Sequence, residues 1–451
     1  VLMTDILQWQ YSQKLISAEE AVKKVKSGDH IFYGEFALFP ETLDEELAKR
    51  INELDDLVLT GVSYTKPPKV VLADPERKHI TMRDYHFGKV ARYLHDDNLC
   101  NYIPVTYHQG PRIIRKYMHM NIVFAVTGPM DGKGFFNFGL SNSVTHAAMD
   151  KADMIIVEVN NNAPNCLGGN QESIHISNVD FVVEGKHSPL LELPAAQPSP
   201  TDQQIAEILL PEIENGSCLQ LGIGGLPNAV GTLIAQSDLK DLGVHSEMMM
   251  DSFVELYEQG RLTGARKNID KYKMVYSFAL GTRKLYDFLD YNPMCASYPV
   301  SYTNDPRITA LNDKVVAINN ALEVDLLSQV SSETMGLRQI SGTGGQLDFI
   351  FGAFQSHGGK GFICLHSTYK DKQGNIHSRI VPSLSPGTIV TVPRSIVQYV
   401  ATEYGIVQLK GKATYERAEA LISIAHPQFQ DDLIKAADSM KLWTRTNRIE
   451  G

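Results

Sequence analysis

Apolar residues in this chain follow two patterns that alternate along its length. Short continuous apolar runs predict strands that are buried on both faces of a sheet, as at residues 122–126, 154–157 and 315–318. Between them lie segments in which apolar residues recur with helical spacing, and these predict helices. Strands that alternate with helices are typical of α/β layers, so we expect a mostly parallel sheet in each half of the chain.

Capping residues and strand patterns suggest that the two halves share one plan. In the first half, Ser17-Ala18-Glu19-Glu20 predicts a capping box that opens a helix, and a strand follows at 29–34. In the second half, Thr201-Asp202-Gln203-Gln204 predicts the same kind of helix start, and a strand follows at 217–222. We therefore expect two similar α/β domains that arose by internal duplication.

Individual residues also match between the halves. Gly28 matches Gly216 and Gly34 matches Gly222, each pair 188 residues apart. A second set, 195 residues apart, pairs Cys100, Pro104, Val105, Tyr107, Pro111 and Arg112 with Cys295, Pro299, Val300, Tyr302, Pro306 and Arg307. Duplication explains a shared shape but assigns no chemistry. The functional alternative is that two facing domains form a ligand cleft between them, where small-molecule sites commonly lie.

A proline-rich segment separates the halves. Residues 188–200 contain four prolines, which are excluded from helix interiors and central strands, so this segment predicts a linker. The predicted domains are then residues 1–187, an N-terminal CoA-transferase domain by the resemblance given below, and residues 201–451, its C-terminal counterpart. The last stretch, 414–447, predicts helix and has no evident chemistry.

Composition narrows the class of protein. The 451 residues include 42 Lys and Arg against 52 Asp and Glu, a net charge of −10, which is the wrong sign for a protein that tracks phosphate backbones. The five cysteines form no C-x-x-C pair, and no apolar run reaches 18 residues. We expect a cytoplasmic protein with no nucleic-acid or membrane partner and no metal.

A glycine-rich loop follows the strand at 217–222. In Gly222-Ile223-Gly224-Gly225-Leu226-Pro227, the backbone N–H groups of the loop and of the following helix turn would point outward together, an arrangement that binds anions. The loop is not the dinucleotide fingerprint, because Pro227 replaces the third glycine of G-x-G-x-x-G. A tight strand-to-helix turn with no ligand is the structural alternative.

Glu247 closes the segment 242–247, which we interpret as an apolar strand. A carboxylate there would lie at the carboxyl edge of a sheet, where the active sites of α/β proteins collect. A solvated or salt-bridged carboxylate is the alternative. His245 could orient Glu247 or be structural, and Met248–Met250 could fill the core or line an apolar acyl pocket.

A second glycine-rich loop occupies residues 340–349, and the segment 318–325 precedes it. Two such loops without a basic cluster favour a ligand that is held through its phosphate and amide groups by backbone contacts. The sequence has no G-x-S-x-G elbow and no H-E-x-x-H motif, so serine hydrolase and zinc enzyme chemistry lack support.

Four segments carry a resemblance to a known family. They are Gly222-Ile-Gly-Gly-Leu-Pro-Asn-Ala-Val, His245-Ser-Glu-Met, Asn320-Ala-Leu-Glu-Val-Asp and Ser341-Gly-Thr-Gly-Gly-Gln-Leu-Asp-Phe. In this order they resemble the acetyl-CoA hydrolase/transferase family of class I coenzyme A transferases, over nearly the whole chain. The resemblance implies two open α/β CoA-transferase domains and a probable-substrate pair of acyl-CoA and short-chain carboxylate, with transfer from butyryl-CoA to acetate favoured and 4-hydroxybutyrate as the alternative acid.

The same resemblance implies roles for individual residues. Glu247 would be the nucleophile, which forms an acyl anhydride and then a glutamyl-CoA thioester in a ping-pong mechanism. Coenzyme A would be a substrate, with no tightly bound cofactor, and the chain would form a homodimer or a larger homo-oligomer. The residues implied to contact CoA are Gly222, Ile223, Gly224, Gly225, Leu226, Asn320, Leu322, Gly342, Gly344, Gly345 and Gln346.

Two other classes of function stay open at this stage. Water could intercept the enzyme–CoA intermediate, which would make the protein a thioester hydrolase on the same scaffold. A protein that binds CoA without catalysis, as a sensor, would leave Glu247 incidental.

Overall fold

The computed structural model describes residues 2–442, which form two compact units, each built from several segments. The first unit holds the residues up to Pro194 together with Glu247–Asp251 and Met274–Thr303. The second unit holds Ala195–Ser246, Ser252–Lys273 and the residues from Asn304 onward. The domain boundaries expected from the sequence stay a prediction.

The first unit is built on a parallel sheet. Up to Pro194 the strands are β1 (His30–Tyr33), β2 (Leu57–Gly61), β3 (Ile80–Asp84), β4 (Cys100–Tyr102), β5 (Ile122–Thr127), β6 (Phe135–Asn137), β7 (Met154–Val159), β8 (Ser173–His175) and β9 (Phe181–Glu184). Seven of them form one sheet in the order β4-β3-β2-β1-β5-β7-β9, and every neighbouring pair is parallel. All six residues of β5 are buried, as the continuous apolar run predicts for a strand covered on both faces.

Helices alternate with these strands. They are α1 (Met3–Lys14), α2 (Ala18–Val22), α3 (Glu41–Ala48), α4 (Lys69–Leu72), α5 (Lys89–Asp96), α6 (Gly110–Tyr117) and α7 (Thr145–Lys151). The predicted capping box is confirmed at α2, where the Ser17 side chain accepts from the Glu20 N–H and the Glu20 carboxylate accepts from the Ser17 N–H. The apolar sides of the helices cover the sheet and form the core of this unit.

The rest of the chain contains a second, smaller parallel sheet. Its strands, with those that fall in the first unit, are β10 (Cys218–Leu221), β11 (Gly243–Val244), β12 (Met248–Met249), β13 (Met274–Tyr276), β14 (Phe278–Ala279), β15 (Cys295–Ser297), β16 (Val315–Asn320), β17 (Glu323–Asp325), β18 (Val330–Ser331), β19 (Thr334–Met335), β20 (Arg338–Gln339), β21 (Lys360–Cys364), β22 (Thr368–Lys370), β23 (Ile376–Ser378), β24 (Ile380–Val381), β25 (Tyr399–Thr402) and β26 (Gly405–Gln408). Six strands pair in the order β11-β10-β16-β21-β25-β26, and only the last pair is antiparallel.

The remaining helices are α8 (Pro200–Leu209), α9 (Gly225–Gln236), α10 (Asp251–Glu258), α11 (Arg283–Leu289), α12 (Val300–Thr303), α13 (Pro306–Thr309), α14 (Gln346–Gln355), α15 (Thr414–Ser423) and α16 (Pro427–Ser439). Helix α8 begins one residue before the predicted cap, because Ser199, not Thr201, accepts from the Asp202 N–H and completes the capping box. The predicted helix at 414–447 is two helices, since Pro427 starts a new one, and residues 443–447 lie outside the described residues.

The matched residues of the two halves occupy equivalent elements. Gly34 and Gly222 each follow the strand that starts its half, and each N–H donates to the neighbouring parallel strand, to Phe124 O at 2.8 Å and to Ile318 O at 3.1 Å. Gly28 and Gly216 both have positive φ, +85° and +78°, a backbone conformation that favours glycine. The two sheets therefore share the connectivity expected of an internal duplication, and the α/β class is confirmed.

Candidate active site

Glu247 lies in a short connection between two strands that belong to different units. Strand β11 ends at Val244, whose carbonyl accepts from the ammonium of the buried Lys267 at 3.0 Å. The chain does not continue as one strand to Glu247, as the sequence suggested. The Glu247 carbonyl instead accepts from the N–H groups of Ser277 at 2.9 Å and Phe278 at 3.1 Å, so its backbone is fixed within the first unit.

The side chain of Glu247 is partly exposed, whereas its neighbours are buried. Met248, Met249 and Met250 are each at most 7% exposed, which fits their interpretation as core residues. His245 is fully buried in the second unit, where its N–H donates to Leu219 O, and its role in orienting Glu247 stays a prediction.

A second carboxylate, Glu35, lies in the same unit and was missed at the sequence level. It follows Gly34 at the carboxyl end of β1, and only 1% of it is exposed. Burial raises the pKa of Glu35 from 4.5 to about 8, although the nearby Ser143 and Thr145 hydroxyls and the Val144 N–H lower it. The internal repeat could have signalled this position, because Glu35 matches Ile223 of the first glycine loop at the offset of 188 residues.

Tyr107 connects the two carboxylates electrostatically. Its pKa is raised well above 10, first by burial and then by the charges of Glu35 and Glu247. Its hydroxyl forms a hydrogen bond with the Ser143 hydroxyl. The first unit therefore holds a partly exposed carboxylate, a buried carboxyl group and a buried phenol in one neighbourhood.

The first glycine loop is in the second unit, at the carboxyl end of β10. Helix α9 begins at Gly225, and Gly224 precedes it with φ +129°. Ile223 is 57% exposed, whereas the Leu226 side chain is 2% exposed, so only the backbone of Leu226 could meet a ligand. The N–H groups of the first helical turn lack partners within the helix, as the anion-binding interpretation requires.

Hydrogen bonds bring the other predicted CoA contacts to the same edge of this sheet. Asn320, at the end of β16, donates from Nδ2 to Ile223 O at 3.4 Å, and its own carbonyl accepts from Gln346 Nε2 at 2.7 Å. The Ser332 hydroxyl donates to Gln346 Oε1 at 2.6 Å, and the Leu322 N–H donates to Ser331 O at 2.9 Å. Because β10 and β16 are parallel neighbours, their ends meet at one edge, and the two loops become one surface.

The glycines of the second loop set up the start of α14. Gly342, Gly344 and Gly345 are buried, and Gly344 has φ +53°. Gly345 is the residue before the first turn of α14, which Gln346 opens. The Ser341 hydroxyl donates to Ser332 O at 2.6 Å and ties this loop to the strand region below.

The predicted site residues therefore fall into two groups. Those implied to contact CoA cluster in the second unit, and Glu247 belongs to the first unit. That the two groups act on one ligand is still a prediction.

Two further features bear on the class of chemistry. Within residues 2–442, no group of three or more His, Cys, Asp or Glu side chains is arranged to hold a metal ion. Over the same residues, no helix combines the length and the apolar character that a membrane span needs.

Comparison with known proteins places the chain in a family. Residues 4–192 match the acetyl-CoA hydrolase/transferase N-terminal domain, and residues 281–437 match the acetyl-CoA hydrolase/transferase C-terminal domain. A butyryl-CoA:acetate CoA-transferase from Anaerostipes caccae is 48% identical over 97% of this chain and 99% of that protein.

Other relatives span the same length. A 4-hydroxybutyrate coenzyme A transferase from Clostridium kluyveri is 38% identical over 95% of this chain and 98% of that protein. The crystal structure of RipA from Yersinia pestis superimposes with a TM-score of 0.88 at 35% identity, over 97% of this chain and 100% of that one. With both domains matched and these relatives aligned almost end to end, this chain belongs to the acetyl-CoA hydrolase/transferase family.

Proposed function

We propose that this protein is a CoA-transferase that moves CoA from a short-chain acyl-CoA, butyryl-CoA, to acetate. The observation that carries the proposal is the 48% identity, over almost the full length of both chains, to a butyryl-CoA:acetate CoA-transferase. The site chemistry agrees with it, because a partly exposed carboxylate on a fixed backbone is a suitable nucleophile.

The first half of the reaction uses Glu247 as the nucleophile. Its carboxylate attacks the acyl-CoA carbonyl, the carbon–sulfur bond breaks, and an acyl-glutamyl anhydride and CoA thiolate form. The thiolate then attacks the glutamyl carbonyl, which releases butyrate and leaves CoA on Glu247 as a thioester. The second half reverses these two steps with acetate and restores the free carboxylate.

No proton is gained or lost in these four steps, since one carboxylate replaces another. A site without a general base can therefore support them. Each step passes through a tetrahedral oxyanion, and the N–H groups of Gly224 and Gly225 are the proposed donors. Loss of one such donor typically costs about 3 kcal/mol of transition-state stabilisation.

Trapping of the intermediate tests the proposal. Wild-type protein incubated with butyryl-CoA alone should carry CoA on the peptide that contains Glu247, which mass spectrometry detects. Glu247→Ala should carry none and should lose transfer to acetate. Glu247→Asp withdraws the carboxylate by about 1 Å and should lose roughly 100-fold in rate, because the site depends on positioning.

The matched control is Glu255→Ala, which removes an exposed carboxylate from α10. It should transfer CoA at the wild-type rate. A folded Glu247→Ala protein that transfers CoA as fast as this control would refute the assignment of the nucleophile.

A second candidate is 4-hydroxybutyrate CoA transfer, which the 38% identical relative favours. A single added hydroxyl changes binding in an apolar pocket by only a few kcal/mol, so the acid is decided by comparison of kcat/KM values. The hydrolase alternative predicts release of free CoA in the absence of acetate, which a thiol assay measures directly.

A further inference from the structure

The hydrogen bonds around Glu35 contain one more acceptor than the available protons can serve. Thr145 Oγ1 is 2.8 Å from Glu35 Oε1 and also 2.8 Å from the Ser141 carbonyl oxygen. A threonine hydroxyl has one proton, and a carbonyl oxygen can only accept. If Glu35 were ionised, one of the two contacts would lack a proton.

A proton on Glu35 resolves this conflict. The Thr145 hydroxyl then donates to Ser141 O, and the Glu35 carboxyl O–H donates to Thr145 Oγ1. The other carboxyl oxygen, Oε2, is buried and makes no hydrogen bond with a described residue. Such an oxygen tolerates a neutral carboxyl group much better than a charged one.

Glu35 is linked to the backbone of Glu247 through the segment 140–145. The Ser141 hydroxyl donates to the Glu35 carbonyl at 2.8 Å, and Ser141 forms an antiparallel bridge with Phe278. The Ser143 N–H donates to Ser277 O at 3.2 Å. Ser277 and Phe278 are the two residues whose N–H groups hold the Glu247 carbonyl.

Ring stacking joins the same two layers. The rings of Phe36, next to Glu35, and Phe278 are stacked with centroids 3.7 Å apart and an interplanar angle of 6°. Ser143 also has φ +42°, a strained backbone conformation for a residue with a side chain. The segment 140–145 is thus held in one geometry by contacts on both sides.

We propose that protonated Glu35 is a positioning residue for CoA transfer, which holds the segment 140–145 and, through Ser277 and Phe278, the backbone of Glu247. The role rests on the proposed function of Glu247. Ionisation of Glu35 would force a charge next to an oxygen that lacks a donor and would release the contact with Thr145.

The titratable groups that face Glu35 are acidic. Glu35 raises the pKa of Tyr85, which follows β3, and that of Tyr107, on which Glu247 also acts. Arg83 lowers the pKa of Tyr85 in the opposite direction. Both tyrosines stay neutral over the range in which Glu35 titrates, since the pKa of Glu35 is about 8.

The first test is the pH profile of transfer from butyryl-CoA to acetate between about pH 6 and 9.5. Wild-type kcat should fall above pH 8, with a limiting slope of about tenfold per pH unit, as one proton is lost. Glu35→Gln keeps an N–H donor for Thr145 and carries no charge. It should stay within about threefold of wild type at pH 7 and should lack the alkaline fall. An alkaline fall that persists unchanged in Glu35→Gln would overturn the proposal.

A pair of Thr145 variants keeps the test independent of the folding of Glu35 variants. Thr145→Val removes the hydroxyl at similar volume and should lower kcat by at least about tenfold with little change in KM, whereas Thr145→Ser should restore it. Equal kcat values for the Val and Ser variants would contradict the positioning role. Melting temperatures confirm that each variant is folded.

Infrared spectroscopy reads the proton directly and needs no activity. The wild-type minus Glu35→Gln difference spectrum at pH 6.5 should contain the carbonyl stretch of a protonated carboxyl group, and this band should vanish as the pH rises through 8. A carboxylate band in its place at pH 6.5 would refute protonation. Failure of the Glu247 trapping experiment, in contrast, would refute the nucleophile and leave this band unchanged.

Discussion

Glu35 couples the stability of the first unit to pH. Its pKa rises from 4.5 to about 8 in the folded chain because of burial, so the folded state keeps a proton that the unfolded chain loses above pH 4.5. The stabilisation is fully present below pH 4.5 and is lost as the pH rises to about 8. Glutamine has no charge to bury. We therefore expect Glu35→Gln to gain melting temperature relative to wild type between pH 5 and 8, on the order of 5 °C.

Differential scanning calorimetry at several pH values measures this gain. Glu255→Gln, an exposed site on α10, is the matched control and should show no pH-dependent difference from wild type. A constant difference between Glu35→Gln and wild type over this range would mean that Glu35 is ionised throughout.

At the scale of elements, the start of α9 depends on the small size of Gly225. A Cβ atom there would lie 2.4 Å from Asp202 Oδ2 and 3.2 Å from Gln197 O. Asp202 cannot retreat freely, because its carboxylate accepts from the Ser199 N–H and bonds to His366 Nε2 at 2.7 Å. Gly225→Ala should therefore shift the loop, lower stability by about 1–3 kcal/mol and raise the KM for acyl-CoA.

Steady-state kinetics and thermal unfolding check both effects of Gly225→Ala. The control is Gly132→Ala, where an added Cβ meets no atom within 4 Å and should change neither quantity. An unchanged KM in a destabilised Gly225→Ala protein would separate the loop's structural role from CoA binding.

For the whole molecule, a single nucleophile dictates the kinetic pattern. Butyrate must leave before acetate can attack the same glutamyl carbonyl, so the two substrates never need to be bound together. Initial rates against butyryl-CoA at several acetate concentrations should give parallel double-reciprocal lines. Lines that intersect over a wide concentration range would require a ternary complex. The expected homo-oligomer and cytoplasmic location are still predictions.

Much of the fold was determined by local sequence alone. The apolar runs at β5, β7 and β16 predicted buried parallel strands, since a strand covered on both faces needs apolar residues at every position. Gly28 and Gly216 marked turns because their positive φ angles favour glycine. The four family motifs also identified the family, since their order along the chain is a property of sequence.

Only the tertiary structure decided which distant residues meet. Glu35 and Thr145 are 110 residues apart, and nothing in either local sequence pairs them. The apolar pattern suggested that Glu247 ends a strand of the second sheet, but its carbonyl bonds instead to Ser277 and Phe278 in the first unit. Local periodicity encodes the type of an element, whereas the partners of a polar group and the burial that shifts its pKa depend on the packing of the whole chain.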